Sequence, residues 1–188
     1  RQIPGGYELW MSCISRGIAV LTVFDEPVGT LYCAGDGSAS GAPCPCGNPS
    51  ATGAQAGCRN STGSGAELRA LRTSSVAADN LTLTETKMPA HVNGLIFMGG
   101  SVVNALPFGD GLRCVGPPLY RFAVRNAGSS GSFSYGPGQI EWVRTHLPMS
   151  AWITPGSTWR FQGYFRDNSG PCGAGFNISN AVEVHFTP

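Results

Sequence analysis

This chain of 188 residues contains seven cysteines, and four of them lie between residues 33 and 58 in a stretch rich in glycine, serine, alanine and proline. Such a stretch has too little apolar surface to bury a core of its own, so it needs covalent links to hold one shape. We therefore predict that six of the cysteines form disulfides. The seven are Cys13, Cys33, Cys44, Cys46, Cys58, Cys114 and Cys172.

The expected pairs join neighbours along the chain. We predict Cys33–Cys44, Cys46–Cys58 and Cys114–Cys172, with Cys13 left over, although six cysteines permit 15 connectivities. Zinc is the competing interpretation of the first four cysteines. Zinc sites usually show paired C-x2-C spacings, and here ten, one and eleven residues separate them. Disulfides in turn predict an extracellular or cell-surface location.

Charge is sparse in this chain. Only 12% of the residues are charged, the formal net charge is +1, and Lys87 is the only lysine. Nucleic-acid binding rests on clustered charge that neutralises phosphates, and no such cluster is present, so we expect no nucleic-acid partner. Few lysines also give little protection against self-association. No apolar run approaches the ~20 residues of a membrane span.

Short segments with strand-like patterns, separated by turns rich in glycine and proline, recur along most of the chain, and no segment has a convincing helical period. In residues 80–86, for example, Leu81 and Leu83 share one face while Thr82 and Thr84 share the other. The predicted fold class is all-β, an antiparallel β-sandwich of the jelly-roll or Ig-like kind. The predicted strands are residues 7–14, 17–24, 66–72, 80–86, 92–98, 101–104, 112–115, 119–125, 132–135, 139–145, 158–166 and 181–187.

The chain divides into an N-terminal strand segment, residues 1–27, and a single sandwich domain, residues 28–188. Within the domain, residues 29–65 form the cysteine-rich loops and residues 66–188 supply the sandwich strands. The N-terminal segment lacks the Gly/Ser texture of the residues that follow it.

The second strand of the N-terminal segment is too apolar to be left in water. Burying it is worth on the order of 10 kcal/mol gross, so it must pack somewhere. It is either the first strand of its own sandwich or an intersubunit strand that adds to the next copy. Its large apolar residues are Ile18, Val20, Leu21, Val23 and Phe24.

No set of residues makes a convincing active site. His91, His146 and His185 have no close-spaced partner, no G-x-S-x-G elbow is present, and no pair of carboxylates stands out as glycoside hydrolysis requires. We therefore expect no enzymatic activity, no cofactor and no strong metal site. Asp36 and Asp110 each lie between glycines and are weak calcium candidates, although Asp-Gly is first of all a turn signal.

Aromatic residues in the C-terminal third are the best binding candidates. We expect Trp142 and Trp159 in the core because they fall in predicted strands. Trp152 and Tyr164 are the candidate ligand-binding aromatics, because exposed rings stack on sugars or anchor interfaces. Sequons for N-glycosylation, which count only in a host that glycosylates such sites, occur at Asn60, Asn80 and Asn177.

Six motifs follow one another in a fixed order along the chain: VGTLYC (28–33), CPCGN (44–48), GCRNSTGSGAELRA (57–70), ADNLTLTETKMP (78–89), FGDGLRCVG (108–116) and GFNISNAVEVHF (175–186). This ordered set resembles a poorly characterised module of large secreted and surface proteins from planctomycete-type bacteria. The resemblance covers about residues 28–188 and implies an extracellular β-domain with paired cysteines; it implies no catalytic residues. The N-terminal 27 residues, including Cys13, depart from it.

The function expected from the sequence is that of an extracellular structural or adhesive subunit. Its partners would be copies of itself or other surface proteins, and strand addition between copies would give a filament. A carbohydrate-binding β-sandwich, with polysaccharide as the partner, is the alternative. An accessory domain of a secreted enzyme is the second alternative.

Overall fold

The computed structural model describes residues 27–188 and, ahead of them, the backbone of residues 2–3, 6–13 and 17–24. Strands dominate, as the sequence predicts. In chain order they are β1 (Gln2–Ile3), β2 (Gly6–Cys13), β3 (Gly17–Phe24), β4 (Thr30–Tyr32), β5 (Glu67–Leu71), β6 (Thr82–Thr86), β7 (Asn93–Phe108), β8 (Gly111–Arg121), β9 (Arg125–Asn126), β10 (Phe133–Tyr135), β11 (Thr158–Asp167) and β12 (Gly175–His185). A helix, α1 (Gln139–His146), and a 3-10 turn (Met149–Ala151) precede β11.

The described strands form three antiparallel sheets. The largest has the order β4-β12-β11-β7-β8, with β9 attached to β7, and the second has the order β10-β6-β5. The third, β1-β2-β3, belongs to the N-terminal segment. No strand pairing within the described backbone joins the third sheet to the other two.

The two larger sheets pack face to face over one hydrophobic core, which confirms the predicted antiparallel sandwich. Alternate residues of each strand point inward. Leu68 and Leu83 of the small sheet thus meet Phe161, Phe165 and Val182 of the large one, and all five side chains are fully buried.

A second core lies on the other face of the large sheet, where the cysteine-rich loops cover it. Buried members of this core include Phe97 of β7, Leu112 of β8 and Ala181 of β12. The alternation of β11 explains the two cores, because Phe161 points into the sandwich and Gln162 points to the opposite face. The large sheet is therefore the middle layer of three.

All six cysteines predicted to form disulfides do so, but the predicted pairs are wrong. The loops fold back over the large sheet, so cysteines distant in sequence become neighbours, and only one short-range pair forms. The observed pairs, with their Cα–Cα separations, are Cys33–Cys114 (5.9 Å), Cys44–Cys58 (5.8 Å) and Cys46–Cys172 (5.4 Å).

The outer edge of β5 is closed by hydrogen bonds. The Asn180 side chain accepts from the Leu68 amide at 2.8 Å and donates to the Leu68 carbonyl at 3.1 Å. The Val28 amide donates to the carbonyl of Ala70 at 2.9 Å. This edge therefore offers few free backbone groups to another strand.

The strand predicted at residues 139–145 is instead helix α1, which corrects the sequence analysis. The Asp79 carboxylate accepts the backbone N–H groups of Ile140 (2.8 Å) and Glu141 (3.1 Å) at the helix start. Because the capping residue lies about 60 positions away, the local sequence contains no cap signal.

Three further strand boundaries differ from the prediction. The glycines at 99–100 and the prolines at 117–118 were expected to end strands, but both lie inside the continuous strands β7 and β8. The register between these strands shifts at Gly99/Ser101, as in a β-bulge, and such irregularities accommodate residues that an ideal ladder does not. The last strand also begins earlier than predicted, at Gly175.

Candidate functional site

Three aromatic rings form a row on the outer face of the large sheet, close to the loop that joins the end of β11 to the start of β12. The ring of Phe176 lies between those of Tyr164 and Phe108, with centroid separations of 5.1 Å on each side. Phe108 is 37% exposed, and the other two are partly exposed. We call Phe108, Phe176 and Tyr164 the aromatic row.

An arginine lies over each end of the aromatic row. The Arg113 guanidinium carbon is 5.7 Å from the Phe108 ring centroid, and that of Arg166 is 6.0 Å from the Tyr164 centroid. Within the part of the chain that the structure describes, neither guanidinium group forms an ion pair or a hydrogen bond. The Arg113 Nε atom is buried and has no hydrogen-bond partner.

The turn between β7 and β8 leaves space for the Phe176 ring because its first residue is a glycine. Gly109 has φ +61°, and a Cβ atom there would collide with the Phe176 ring. The Asp110 carboxylate accepts the backbone amides of Cys172 (3.3 Å) and Ala174 (3.1 Å) in the loop before β12. These hydrogen bonds join the β7–β8 turn, which follows Phe108, to the loop before β12, which precedes Phe176.

The two weak calcium candidates lie apart and take part in turns. The Asp36 carboxylate accepts the amide and the hydroxyl of Ser38 and the amide of Gly53, and these hydrogen bonds, chiefly those from Ser38, lower its pKa. Asp110 is fully buried, and its carboxylate lies beside that of the buried Asp167, each accepting backbone amides. Calcium binding at Asp36 and Asp110 stays a prediction.

A carboxylate oxygen of Asp110 and the sulfurs of Cys46 and Cys172 lie within 4.8 Å of one another. The two sulfurs are joined in a disulfide, so neither is a thiolate that a metal ion would need.

Glu85 of β6 is a buried acid inside the sandwich. Its side chain is 0% exposed, and neither carboxylate oxygen has a hydrogen-bond partner among the described residues. The carboxyl group lies against the Cα of Gly163 in β11, where a Cβ atom would collide with it. Burial raises the pKa of Glu85 well above its usual value.

A half-open cavity of about 600 Å³ lies where the cysteine-rich loops meet β4 and β7. Its walls combine apolar residues such as Val102 with polar ones such as Gln55 and Asn104. The Tyr32 hydroxyl beside it is buried and has no hydrogen-bond partner among the described residues, and burial raises its pKa.

The two aromatics predicted to bind ligand do not lie in one cluster. Tyr164 belongs to the aromatic row, whereas Trp152, 37% exposed, follows the 3-10 turn before β11. No ring contact among the described residues joins them. The sequence analysis missed Phe108 and Phe176; the available signal was that each lies next to a glycine in the motifs FGDG and GFN.

The histidines and the sequons occupy ordinary structural positions. His185 is exposed on β12, as expected from its alternation, and His146 stacks on Trp142 with the ring centroids 4.6 Å apart.

Two of the three glycosylation sequons are buried. Asn60 and Asn177 are 2% and 0% exposed, so their amides are inaccessible for glycosylation in the folded state. Asn80 is half-buried, and its side chain accepts a hydrogen bond from Thr73.

The residues predicted to form an intersubunit strand all lie in β3. This strand pairs along its full length with β2, with Leu21 opposite Leu9 and Val20 opposite Trp10. Whether β3 packs within its own chain or against another copy stays a prediction; the side chains of residues 1–26, Cys13 included, lie outside the described part of the structure. The residues concerned are Ile18, Val20, Leu21, Val23 and Phe24.

Comparison with known proteins leaves the family open. No protein-family model, curated protein or solved structure matches this chain. No helix in the described residues is long and apolar enough to cross a membrane.

Proposed function

We propose that this chain is an extracellular structural or adhesive module that associates with other copies through its N-terminal hairpin, β2 and β3. Three disulfides support an oxidising, extracellular setting, because such bonds persist there and are rare in the cytosol. The near absence of lysine supports association, because lysines on sheet edges oppose strand pairing between copies.

The observation that carries this proposal is the apolar sequence of the hairpin. Leu9 pairs with Leu21 and the adjacent Trp10 pairs with Val20. Successive residues of a strand point to opposite faces, so both faces of this sheet carry apolar residues. A two-faced apolar sheet needs cover on both sides, and a second copy would supply that cover for at least one of them.

Sheet edges favour a second copy as the partner. In the order β1-β2-β3, strand β3 is an edge, with its outer backbone groups unpaired by any strand in the described backbone. Two edges of the sandwich are poor acceptors, because Asn180 and Val28 occupy the β5 edge and Pro117 and Pro118 have no backbone N–H to donate from β8. Two β3 edges would pair about a two-fold axis. Such a pair closes on itself, so a filament would need a further contact.

Deletion of residues 1–26 tests the proposal. Pro27 is kept because it bridges to Leu71. We expect the full chain to sediment as a dimer or larger species at micromolar concentration and the truncated chain as a folded monomer. Leu21→Asp should act like the deletion, and the matched control Val124→Asp, at an exposed position outside the hairpin, should leave association intact. A truncated chain that still associates would contradict the proposal, as would a full chain that is monomeric throughout.

Carbohydrate binding is a second candidate function, and the aromatic row favours it. Partly exposed rings in series are a common way for proteins to hold sugar rings by stacking. Adhesion through the row and association through the hairpin use different parts of the chain, so both functions are compatible with one molecule.

A further inference from the structure

We infer that the aromatic row and its two arginines form a binding surface for an anionic polysaccharide, a chain of sugar rings bearing carboxylate or sulfate groups. The inference rests on the adhesive function proposed above and names its partner. It is drawn from three observations: the rings in series, the position of an arginine over each end ring, and the lack of an ion-pair or hydrogen-bond partner for either guanidinium among the described residues.

The rings account for the sugar component of the ligand. Phe176 is flanked by Tyr164 and Phe108 at equal centroid separations of 5.1 Å, so the row presents adjacent apolar positions rather than one isolated ring. The apolar C–H face of a sugar packs on an aromatic ring, while its hydroxyl groups stay in water. The Tyr164 hydroxyl adds a polar group at one end of the row.

The arginines account for the negative charge of the ligand. A guanidinium binds carboxylate or sulfate through two parallel N–H donors, and the guanidinium groups of Arg113 and Arg166 have no ion-pair or hydrogen-bond partner within the described residues. The Arg113 Nε is buried, so the two terminal nitrogens of Arg113 would be its donors. The buried acids Asp110 and Asp167 accept backbone amides, and neither forms an ion pair with these arginines within the described residues. An arginine without a carboxylate partner at each end of an apolar row is complementary to an acidic group on each side of a stacked sugar.

Neutral glycans and nucleic acid fit this surface less well. A neutral sugar would leave both guanidinium groups without an acceptor. A nucleic acid presents a denser line of charge and is bound by clusters of basic residues, whereas this chain has a net charge of +1 and one lysine.

Affinity electrophoresis of the full-length chain through gels containing polygalacturonate tests the inference. The control polymer is methyl-esterified polygalacturonate, which has the same sugar rings with the carboxylates neutralised; chondroitin sulfate represents sulfated chains. We expect retardation by one or both acidic polymers, more than tenfold weaker retardation by the methyl ester, and weakening as salt rises. Equal retardation by the acidic and esterified polymers, or none by any polymer, would overturn the inference.

Substitutions locate the surface. Arg113→Gln with Arg166→Gln, and separately Phe108→Ala with Tyr164→Ala, should each reduce affinity more than tenfold. The matched controls are Arg144→Gln, an exposed arginine on α1, and Met149→Ala, an exposed apolar residue outside the row; neither should change binding. Equal losses in the controls, or equal binding of single-stranded DNA, would identify nonspecific attraction and refute the site.

The experiment separates this inference from the proposed function. Sedimentation of the same variants reports association through the hairpin. Loss of polysaccharide binding with association intact is the expected result for the row variants. If wild-type protein associates but binds no acidic polymer, only the present inference fails; if it binds the polymer as a monomer, only the hairpin proposal fails.

Discussion

At the residue scale, the least expected feature is the acid enclosed in the sandwich. Side chains alternate between the two faces of a strand, so Leu83 and Glu85 of β6 both point into the core. That alternation does not reveal that the carboxyl group of Glu85 has no hydrogen-bond donor among the described residues. Space for it comes from Gly163 on the facing sheet, a long-range match that no local sequence pattern indicates.

Glu85→Gln should change how stability depends on pH. The pKa of Glu85 is raised in the folded state, so the folded protein holds this proton more tightly than the unfolded chain does. Stability from this group is therefore fully present below the ordinary value near 4.5 and is lost as pH rises toward the folded pKa. Glutamine does not titrate, so the free energy of unfolding of the variant, relative to that of the wild type, should rise as pH increases from 4.5 to 8.

Urea unfolding at the two pH values measures this difference. Tyr135 does not contribute to this difference. Burial, and to a lesser extent the charge of Glu85, raises the pKa of Tyr135 to about 12, so its hydroxyl stays neutral at both pH values. A wild type and variant with parallel pH profiles would show that Glu85 does not carry an elevated pKa.

At the element scale, the sequence predicts strands well and misses the helix. Alternation identifies β6, most of β11 and the C-terminal part of β12, where buried residues alternate with less buried ones. It misses the first half of β12 because residues 177–182 are buried on both faces, where the sandwich core and the cysteine-rich loops cover the large sheet. In α1, the apolar residues Ile140 and Val143 are three positions apart, and eight residues are too few to separate a helical period from an irregular strand. The decisive contact is the distant cap from Asp79.

The same long-range dependence appears at the β5 edge, where Asn180 replaces a neighbouring strand. Asn180→Ala should cost about 2–4 kcal/mol, because it removes the two buried hydrogen bonds to Leu68, together with one to the Ala181 carbonyl, and leaves both backbone groups of Leu68 without partners. Hydrogen exchange should accelerate most at the Leu68 amide. Asn168→Ala, an exposed asparagine in the loop after β11, is the control. An unchanged Leu68 exchange rate in N180A would contradict this account of the edge.

At the scale of the whole molecule, two cores of different kinds share the large sheet. The sandwich core is built from large apolar side chains such as Phe161 and Phe186. The outer core contains four disulfide-bonded cysteines and several alanines, as expected for a segment with little apolar surface. Composition thus predicts that disulfides are needed, but the pairing depends on how the loops lie across the sheet, which composition does not contain.

Reduction of the disulfides should therefore loosen the two cores unequally. The chain-entropy model assigns about 3 kcal/mol to the Cys44–Cys58 link and about 4.5 kcal/mol to Cys33–Cys114, whose loops span 14 and 81 residues. After reduction and alkylation, hydrogen exchange should rise across residues 33–65, while amides in β6 and in β11 near Phe161 stay protected by the sandwich core. Alkylated but unreduced protein is the control. Equal loss of protection in both regions would mean that the three layers unfold as one cooperative unit, and full protection in residues 33–65 would mean that packing alone holds the loops.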